Sequence, residues 1–249
     1  MKPEISVVAP CFNEEGNVEP LVARLERVFE EKGLSGEIVL VDDASKDATR
    51  RAIKVLQSKW PNLVLVVHDE NGGIAKSLTD GIHAARGTYV CIMDADLQNL
   101  PEDVWRLYRE LIDTKTDVVS GWRSRVNPKK DHVYISSRVL SMLLNLLFGM
   151  HLKDNKSAFM IARRDVLLHI LAHRFSYHHP QTFMGVSAHA KGYSIRQIET
   201  RFDKRHSGVS YLAGARYFRE AWKTLLDCMK GLVEFRIMKQ SELAREDNV

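Results

Sequence analysis

Gly87-Thr88-Tyr89-Val90-Cys91-Ile92-Met93-Asp94-Ala95-Asp96-Leu97-Gln98 reads as a short apolar strand that ends by pushing carboxylates out at its tip. The unbroken apolar run around Val90 and Ile92 suits a strand buried on both faces of a mostly parallel sheet. Asp94 and Asp96 flank Ala95, so an extended chain would point both carboxylates the same way. Two such groups repel unless a cation lies between them, and hard oxygen ligands suit Mg²⁺ or Mn²⁺. A metal held there wants an anion, commonly a nucleotide diphosphate. Gln98 continues the alternation and offers a neutral oxygen. The competing reading is a capped turn, with Asp96 or Asn99 as N-cap of a helix beginning near Pro101-Glu102-Asp103.

Working outward, the same design recurs. Ile5 to Pro10 predicts a strand followed by the polar loop Cys11 to Asn17, then a helix with Leu21, Val22, Leu25, Val28 and Phe29 on one face. Glu37 to Val41 predicts a second buried strand delivering Asp42 and Asp43, and Leu63 to Val67 a third, with a helix over Thr49 to Lys59 between them. This alternation is that of a doubly wound α/β sheet, whose ligands bind outside the carboxyl ends of the strands. Asn13, Asp42, Asp43, Asn71, Asp94 and Asp96 all fall there. Asn71-Gly72-Gly73 opens a further helix whose first N–H groups are candidates for a phosphate. A helix with Val104, Leu107, Tyr108 and Leu111 leads to a strand over Asp117 to Arg123, which puts Arg123 within reach of a phosphate. Asn127 to Asp131 is polar and basic, as a mobile loop would be. No G-x-G-x-x-G follows the first strand, which argues against a dinucleotide-dependent oxidoreductase.

The 249 residues, 45% hydrophobic and 27% charged, describe an ordinary globular chain, and the net charge of +4 is compatible with anionic ligands or an anionic membrane surface. Nothing supports nucleic acid as a partner. The three cysteines, Cys11, Cys91 and Cys228, are widely spaced and read as reduced core residues of a cytosolic protein. The N-terminus lacks the apolar core of a signal peptide, and Tyr134 to Leu152, the most apolar long stretch, is interrupted by Ser136, Ser137, Arg138, Ser141, Asn145 and Gly149. The expectation is a chain that lies on a membrane rather than crosses it.

Taken in order, these motifs resemble the GT-A fold glycosyltransferases of the inverting family 2, and within it the dolichol- and polyprenyl-phosphate sugar synthases. Val8 to Glu14 is similar to the family's V-x-P-x-[YF]-N-E, Val41 to Thr49 to its DD-[GA]-S-x-D-x-T, Asn71 to Gly81 to its N-x-G-x-x-x-[AS]-x-x-x-G, and Asp94 to Gln98 to its DADLQ. The resemblance runs from Val7 to about Tyr211. It implies an α/β, GT-A (Rossmann-like) mostly parallel sheet flanked by helices. It also implies a nucleoside site of Pro10, Phe12, Glu14, Val41, Asp43, Asp94 and Ala95, and a divalent metal on Asp94, Asp96 and Gln98. Asp154 to Phe159 is similar to a later D-x-x-[SC]-G-F, and Arg205 to Ser210 to an R-x-x-G-x-S whose arginine grips phosphate. Asp154, Ser157, Arg205, Ser210 and Tyr211 would then face the acceptor. Tyr211, Ala158 and Met160 depart from the pattern, standing where relatives carry lysine, glycine and a basic residue.

The acceptor half adds its own signal. Transfer to a hydroxyl wants a general base, yet Val166 to Ile198 contains no Asp or Glu and five histidines instead, His169, His173, His178, His179 and His189. An acceptor phosphate, largely ionised at neutral pH, needs no base. The expected domain, residues 1–211, is followed by a C-terminal amphipathic helix and polar tail, residues 212–249. On the helix, Phe218, Trp222, Leu225, Leu226, Met229, Leu232 and Val233 form one stripe, and Arg219, Lys223, Asp227, Lys230 and Glu234 the opposite face. The stripe either packs on the domain or lies on a surface, helped there by Val139, Leu143, Leu147 and Phe148.

Three functional readings follow. The leading one is metal-dependent, inverting transfer of a sugar from a GDP- or UDP-sugar to a polyprenyl monophosphate, peripheral at the inner face of the cytoplasmic membrane, with Asp94, Asp96, Arg123 and Arg205 as the catalytic set. A second keeps donor and fold but takes a saccharide or other hydroxyl acceptor. The third is a nucleotide-sugar-binding protein without turnover. A homo-oligomer is left open.

Overall fold

The computed structural model describes residues 2–124, 132–203 and 215–238. Seven strands form one sheet in the order β3-β2-β1-β4-β6-β5-β7. β1 (Ile5–Cys11), β2 (Gly36–Asp43), β3 (Leu63–His68) and β4 (Tyr89–Ile92) are mutually parallel, with Cys11 opposite Asp42 and Asp43 opposite His68. β6 (Met160–Arg163) is inserted antiparallel between β4 and β5 (Val118–Ser124), and β7 (Ile195–Arg201) closes the edge parallel to β5. The chain winds outward from β1 to β3 and then returns to put β4 on the other side of β1. The point where the order reverses is where such sheets open a ligand crevice at their carboxyl ends.

The continuous apolar runs are explained by cover on both faces. Ile5, Val7, Ala9, Ile38, Leu40 and Cys91 pack into one core with α1 (Val18–Lys32), α2 (Thr49–Gln57) and α4 (Asp103–Thr114). Their neighbours Val8, Val39, Val90 and Ile92 pack into a second core with α3 (Gly73–Ala84), α6 (Arg164–Leu171) and α7 (Pro180–Ala190). α3 lies so close to the sheet that a Cβ on Gly81 would stand 2.5 Å from Val8 Cγ1, so only glycine fits there. All three cysteines are buried thiols, as expected.

A third, smaller core joins α5 (His132–Phe148), α7 and α8 (Ala215–Leu232) through Leu144, Tyr177, Phe183 and Cys228. α8 continues into a π-helical turn, Val233–Met238. No helix among the described residues is long and apolar enough to cross a membrane.

α8 reverses the simplest reading of its amphipathy. Asp227 and Glu234 are buried, while Trp222 is 61% exposed and Leu225, Met229, Val233 and Ile237 are exposed with it. The cause is the turn between α6 and α7, whose backbone donors need acceptors. Asp227 accepts the N–H groups of His178 (3.1 Å) and His179 (2.9 Å), at the start of α7, and His178 Nδ1–H at 3.0 Å. Glu234 accepts the N–H of Arg174 (2.9 Å) and the hydroxyl of Tyr177 (2.8 Å). The segment without a carboxylate of its own therefore takes two from a helix some fifty residues on. These contacts make His178 and His179 part of a structural latch. Burial pulls the neighbouring His173 down to about 4 against the opposing pull of Glu234, so that ring is neutral at physiological pH.

Candidate active site

The site is built from loops at the carboxyl ends of β1, β2 and β4. The first two loops are laced together. Asn13 N–H donates to Ser45 Oγ at 3.0 Å and Asn13 Oδ1 accepts Lys46 N–H at 2.8 Å. Glu14 N–H donates to Thr49 Oγ1 at 2.8 Å, and the Glu14 carboxylate accepts Asn17 Nδ2–H. Asn13 and Ala44 both hold a left-handed backbone, φ 57° and 58°, a conformation that non-glycine residues adopt only when their surroundings fix it. Pro10 and Phe12 are half-buried on the rim of this crevice. Val41 is fully buried, with its methyl groups against α3, so only its backbone faces the crevice.

Asp43 ends β2 as a hub. Its Oδ1 meets His68 Nδ1 at 2.7 Å and Gly72 N–H at 2.8 Å, and its Oδ2 accepts Gly73 N–H at 2.9 Å. His68 Nε2 in turn meets Asp80 at 3.0 Å. Of the donors at the start of α3 that the sequence offers to a phosphate, the N–H groups of Gly72 and Gly73 are taken by this carboxylate. One lone pair on Oδ2 is all Asp43 keeps for a ligand. The connection was hidden because Asp43 and Gly72 are far apart in sequence and meet only through β2–β3 pairing.

At the β4 tip, pairing with β1 stops at Ile92, and Met93 N–H still reaches Val8 O at 3.1 Å. The chain then turns, so the strict alternation expected of Asp94, Asp96 and Gln98 is lost: Asp94 is exposed, Asp96 is buried, and Leu97 takes φ 63°. The competing helix cap is absent, since α4 begins at Asp103 with Glu102 as N-cap. Asp96 Oδ1 accepts Gln98 N–H at 3.1 Å, which fixes the turn. Gln98 donates its side-chain N–H to Asp203 O at 3.3 Å and accepts Asp203 N–H on its carbonyl at 2.8 Å, leaving its side-chain oxygen for a ligand. Ala95 is buried beneath the turn. Two carboxylates and an amide oxygen fit a hard divalent ion that completes its shell with water and phosphate oxygens. Among the described residues no cluster of three or more His, Cys, Asp or Glu offers a self-sufficient metal cage.

Beside this turn, Arg123 forks onto Asp154, with Nε–Oδ2 at 2.6 Å and Nη2–Oδ1 at 3.0 Å, and its guanidinium lies over the Phe202 ring at 5.2 Å. Burial alone would raise the Asp154 carboxyl, but the Arg123 fork outweighs it and holds it below the usual range. Phe202 bridges Asn99, which ties this wall to the β4 turn. Ser157 is buried, and its hydroxyl has no hydrogen-bond partner among the described residues. Arg205, Ser210 and Tyr211 lie outside the described residues, as does the loop Asn127 to Asp131.

Among known structures the fold is similar to a mannosyltransferase, PcManGT, from Pyrobaculum calidifontis, solved with GDP-Man and Mn²⁺ (TM-score 0.64, 18% identity, 94% of this chain and 64% of that one). It is also similar to glucosyl-3-phosphoglycerate synthase from Mycobacterium tuberculosis, solved with Mn²⁺, UDP and glucosyl-3-phosphoglycerate (TM-score 0.69, 15% identity, 94% and 80%). These likenesses establish the GT-A architecture. In sequence, the chain is 32% identical to a dodecaprenyl-phosphate galacturonate synthase from Rhizobium johnstonii over 87% of its length, and 26% identical to a dolichol-phosphate mannosyltransferase from Pyrococcus furiosus over 95%. It spans 64% of each of those two relatives. A family model covers residues 6–171, from β1 through the acidic turn and Asp154 to the end of α6, and by that match the chain belongs to glycosyl transferase family 2.

Proposed function

We propose that the protein transfers a sugar, with inversion, from a nucleotide-diphosphate sugar to a polyprenyl monophosphate. The observation that carries the donor half is the β4 turn, where Asp94, Asp96 and Gln98 stand at the reversal point of the sheet beside the laced loops of β1 and β2. Asp94, Asp96 and Gln98 would hold Mg²⁺ or Mn²⁺, which when bound neutralises charge on the diphosphate leaving group. Pro10, Phe12 and Glu14 line the crevice for the nucleoside, with the remaining lone pair of Asp43. Arg123, kept in place by Asp154, is positioned to share the leaving charge, and Arg205 is assigned to phosphate by its motif.

The acceptor follows from chemistry and from relatives whose names place sugars on dodecaprenyl or dolichol phosphate. An ionised phosphate attacks the anomeric carbon without a general base, and the carboxylates nearest the histidine-rich segment, Asp227 and Glu234, are committed to backbone donors. Attachment to a lipid surface is favoured by the apolar face that α5 and α8 leave uncovered: Val139, Met142, Leu143 and Leu146, the last 79% exposed, with Trp222, Leu225 and Met229. Burying a large side chain yields roughly 1.5–3 kcal/mol, so a few of these suffice for reversible binding at the inner face of the membrane.

The test supplies labelled GDP- and UDP-sugars with undecaprenyl or dolichyl phosphate in one reaction and free saccharides in another. Label is expected in the lipid phase, dependent on divalent metal. Label on saccharides alone would favour the hydroxyl-acceptor reading, and no turnover despite nucleotide binding the non-catalytic one.

A further inference from the structure

Lys156 lies in the loop before β6, beside the Arg123–Asp154 pair. That loop is rigid. Gln197 Oε1 accepts the N–H groups of Lys153 (2.5 Å) and Asp154 (3.4 Å), Gln197 Nε2–H donates to Asp154 O at 3.0 Å, and Asn155 N–H donates to Ser141 Oγ at 3.0 Å. Lys156 itself is half-buried and gives its backbone N–H to Asp154 Oδ1 at 2.9 Å. Its ammonium has no such tie: among the described residues it meets no carboxylate, carbonyl or hydroxyl at hydrogen-bond distance.

The local charge is therefore unbalanced. Two cations share one carboxylate, and Arg123 takes both of that carboxylate's oxygens. Burial first, and then Arg123, pull the Lys156 ammonium below the ordinary lysine value, with Asp154 opposing weakly. A partly desolvated cation without a counter-ion is costly unless a ligand brings the missing charge. Next in the chain, the buried Ser157 hydroxyl also lacks a partner among the described residues. A point charge with three N–H donors and an adjoining hydroxyl suit the oxygens of a phosphate. The wall they stand on runs through Arg123 and Phe202 to Asn99 and Gln98 at the metal turn.

We propose that the Lys156 ammonium, with the Ser157 hydroxyl, binds a phosphate group that enters beside Arg123. The inference deepens the proposed function, on which it relies only for which substrate brings the phosphate.

The experiment measures equilibrium binding without turnover, by calorimetry, on wild type, Lys156→Met and Lys156→Arg. The probes are farnesyl phosphate, farnesol as its uncharged control, GDP and UDP with Mn²⁺, and inorganic phosphate. Lys156→Met is expected to weaken a phosphate probe about tenfold or more, as loss of a charge-assisted contact does, with farnesol unaffected and Lys156→Arg restoring most of the affinity. Loss confined to farnesyl phosphate assigns the contact to the acceptor, and loss confined to GDP or UDP assigns it to the donor. Unchanged affinity for every phosphate probe in a folded Lys156→Met protein overturns the inference and leaves the transferase reading standing. Wild type that binds nucleotide but no prenyl phosphate removes the lipid-acceptor reading while Lys156 is still judged on the nucleotide arm. Wild type that binds no phosphate probe at all overturns both.

Discussion

The two ends of the molecule bury opposite things. Around β1 to β4, apolar side chains go inward and carboxylates collect at the strand tips, so hydrophobic pattern and burial agree. On α8 the carboxylates go inward and the apolar stripe faces out. The difference comes from what each element is packed against. A sheet covered on both faces needs only apolar filling, whereas α8 is packed against a turn whose backbone N–H groups need acceptors, and several donors left unpaired together would cost more than one buried leucine gains. Even so, the contact is close. A Cβ on Gly231 would stand 2.7 Å from Phe183 Cε1, so α8 approaches α7 as tightly as α3 approaches the sheet.

The largest effect that would sharpen this contrast is on activity. Asp96→Asn, or chelation of the wild type, is expected to lower transfer by about a hundredfold or more while thermal unfolding changes little, because asparagine keeps an oxygen to accept Gln98 N–H but loses the charge proposed to hold the metal. A chelator-insensitive, active Asp96→Asn enzyme would break the functional half of the comparison. Asp43→Ala comes next, at about 3 kcal/mol of stability in urea titration, since it orphans two N–H groups of α3 and the ring of His68 together. That places a structural carboxylate within the crevice proposed for the nucleotide. Asp227→Ala should cost about 2 kcal/mol and release α8 to limited proteolysis ahead of the sheet, whereas a protein as resistant as wild type would deny the latch. The smallest expected change in stability, within about 0.5 kcal/mol, belongs to the double substitution Trp222→Ser and Met229→Ser on the exposed stripe. The same variant should lose sedimentation with anionic vesicles, and retained sedimentation would remove these side chains from membrane attachment.

Much of the first half was legible in the sequence because local pattern and final environment coincide. Val39 and Leu40 are apolar neighbours that point to opposite, equally covered faces, and the acidic tips follow directly. The missing elements lacked such a signal. β6 is four residues long, Met160 to Arg163, and gains its place only by slotting between β4 and β5. β7 reads Ile-Arg-Gln-Ile-Glu-Thr-Arg, the mixed pattern of an edge strand with one solvated side. α8 was found, and the polarity of its two faces was clear, but periodicity cannot say which face meets a partner. The paired roles of Asp43 and Asp227 rest on long-range register and helix docking, which no motif encodes.

On the proposed function, the seam between Gln98–Asn99 and Phe202–Asp203 carries a kinetic consequence. Gln98 belongs to the turn proposed to hold the donor, and Asp203 stands two residues before Arg205, on the segment proposed to hold the acceptor. Hydrogen bonds in both directions join Gln98 to Asp203, so if the two elements bind as proposed, filling the first would fix where the second begins. That arrangement predicts compulsory order, with nucleotide sugar bound before lipid phosphate, and initial-rate patterns in which the product nucleotide competes with the donor alone.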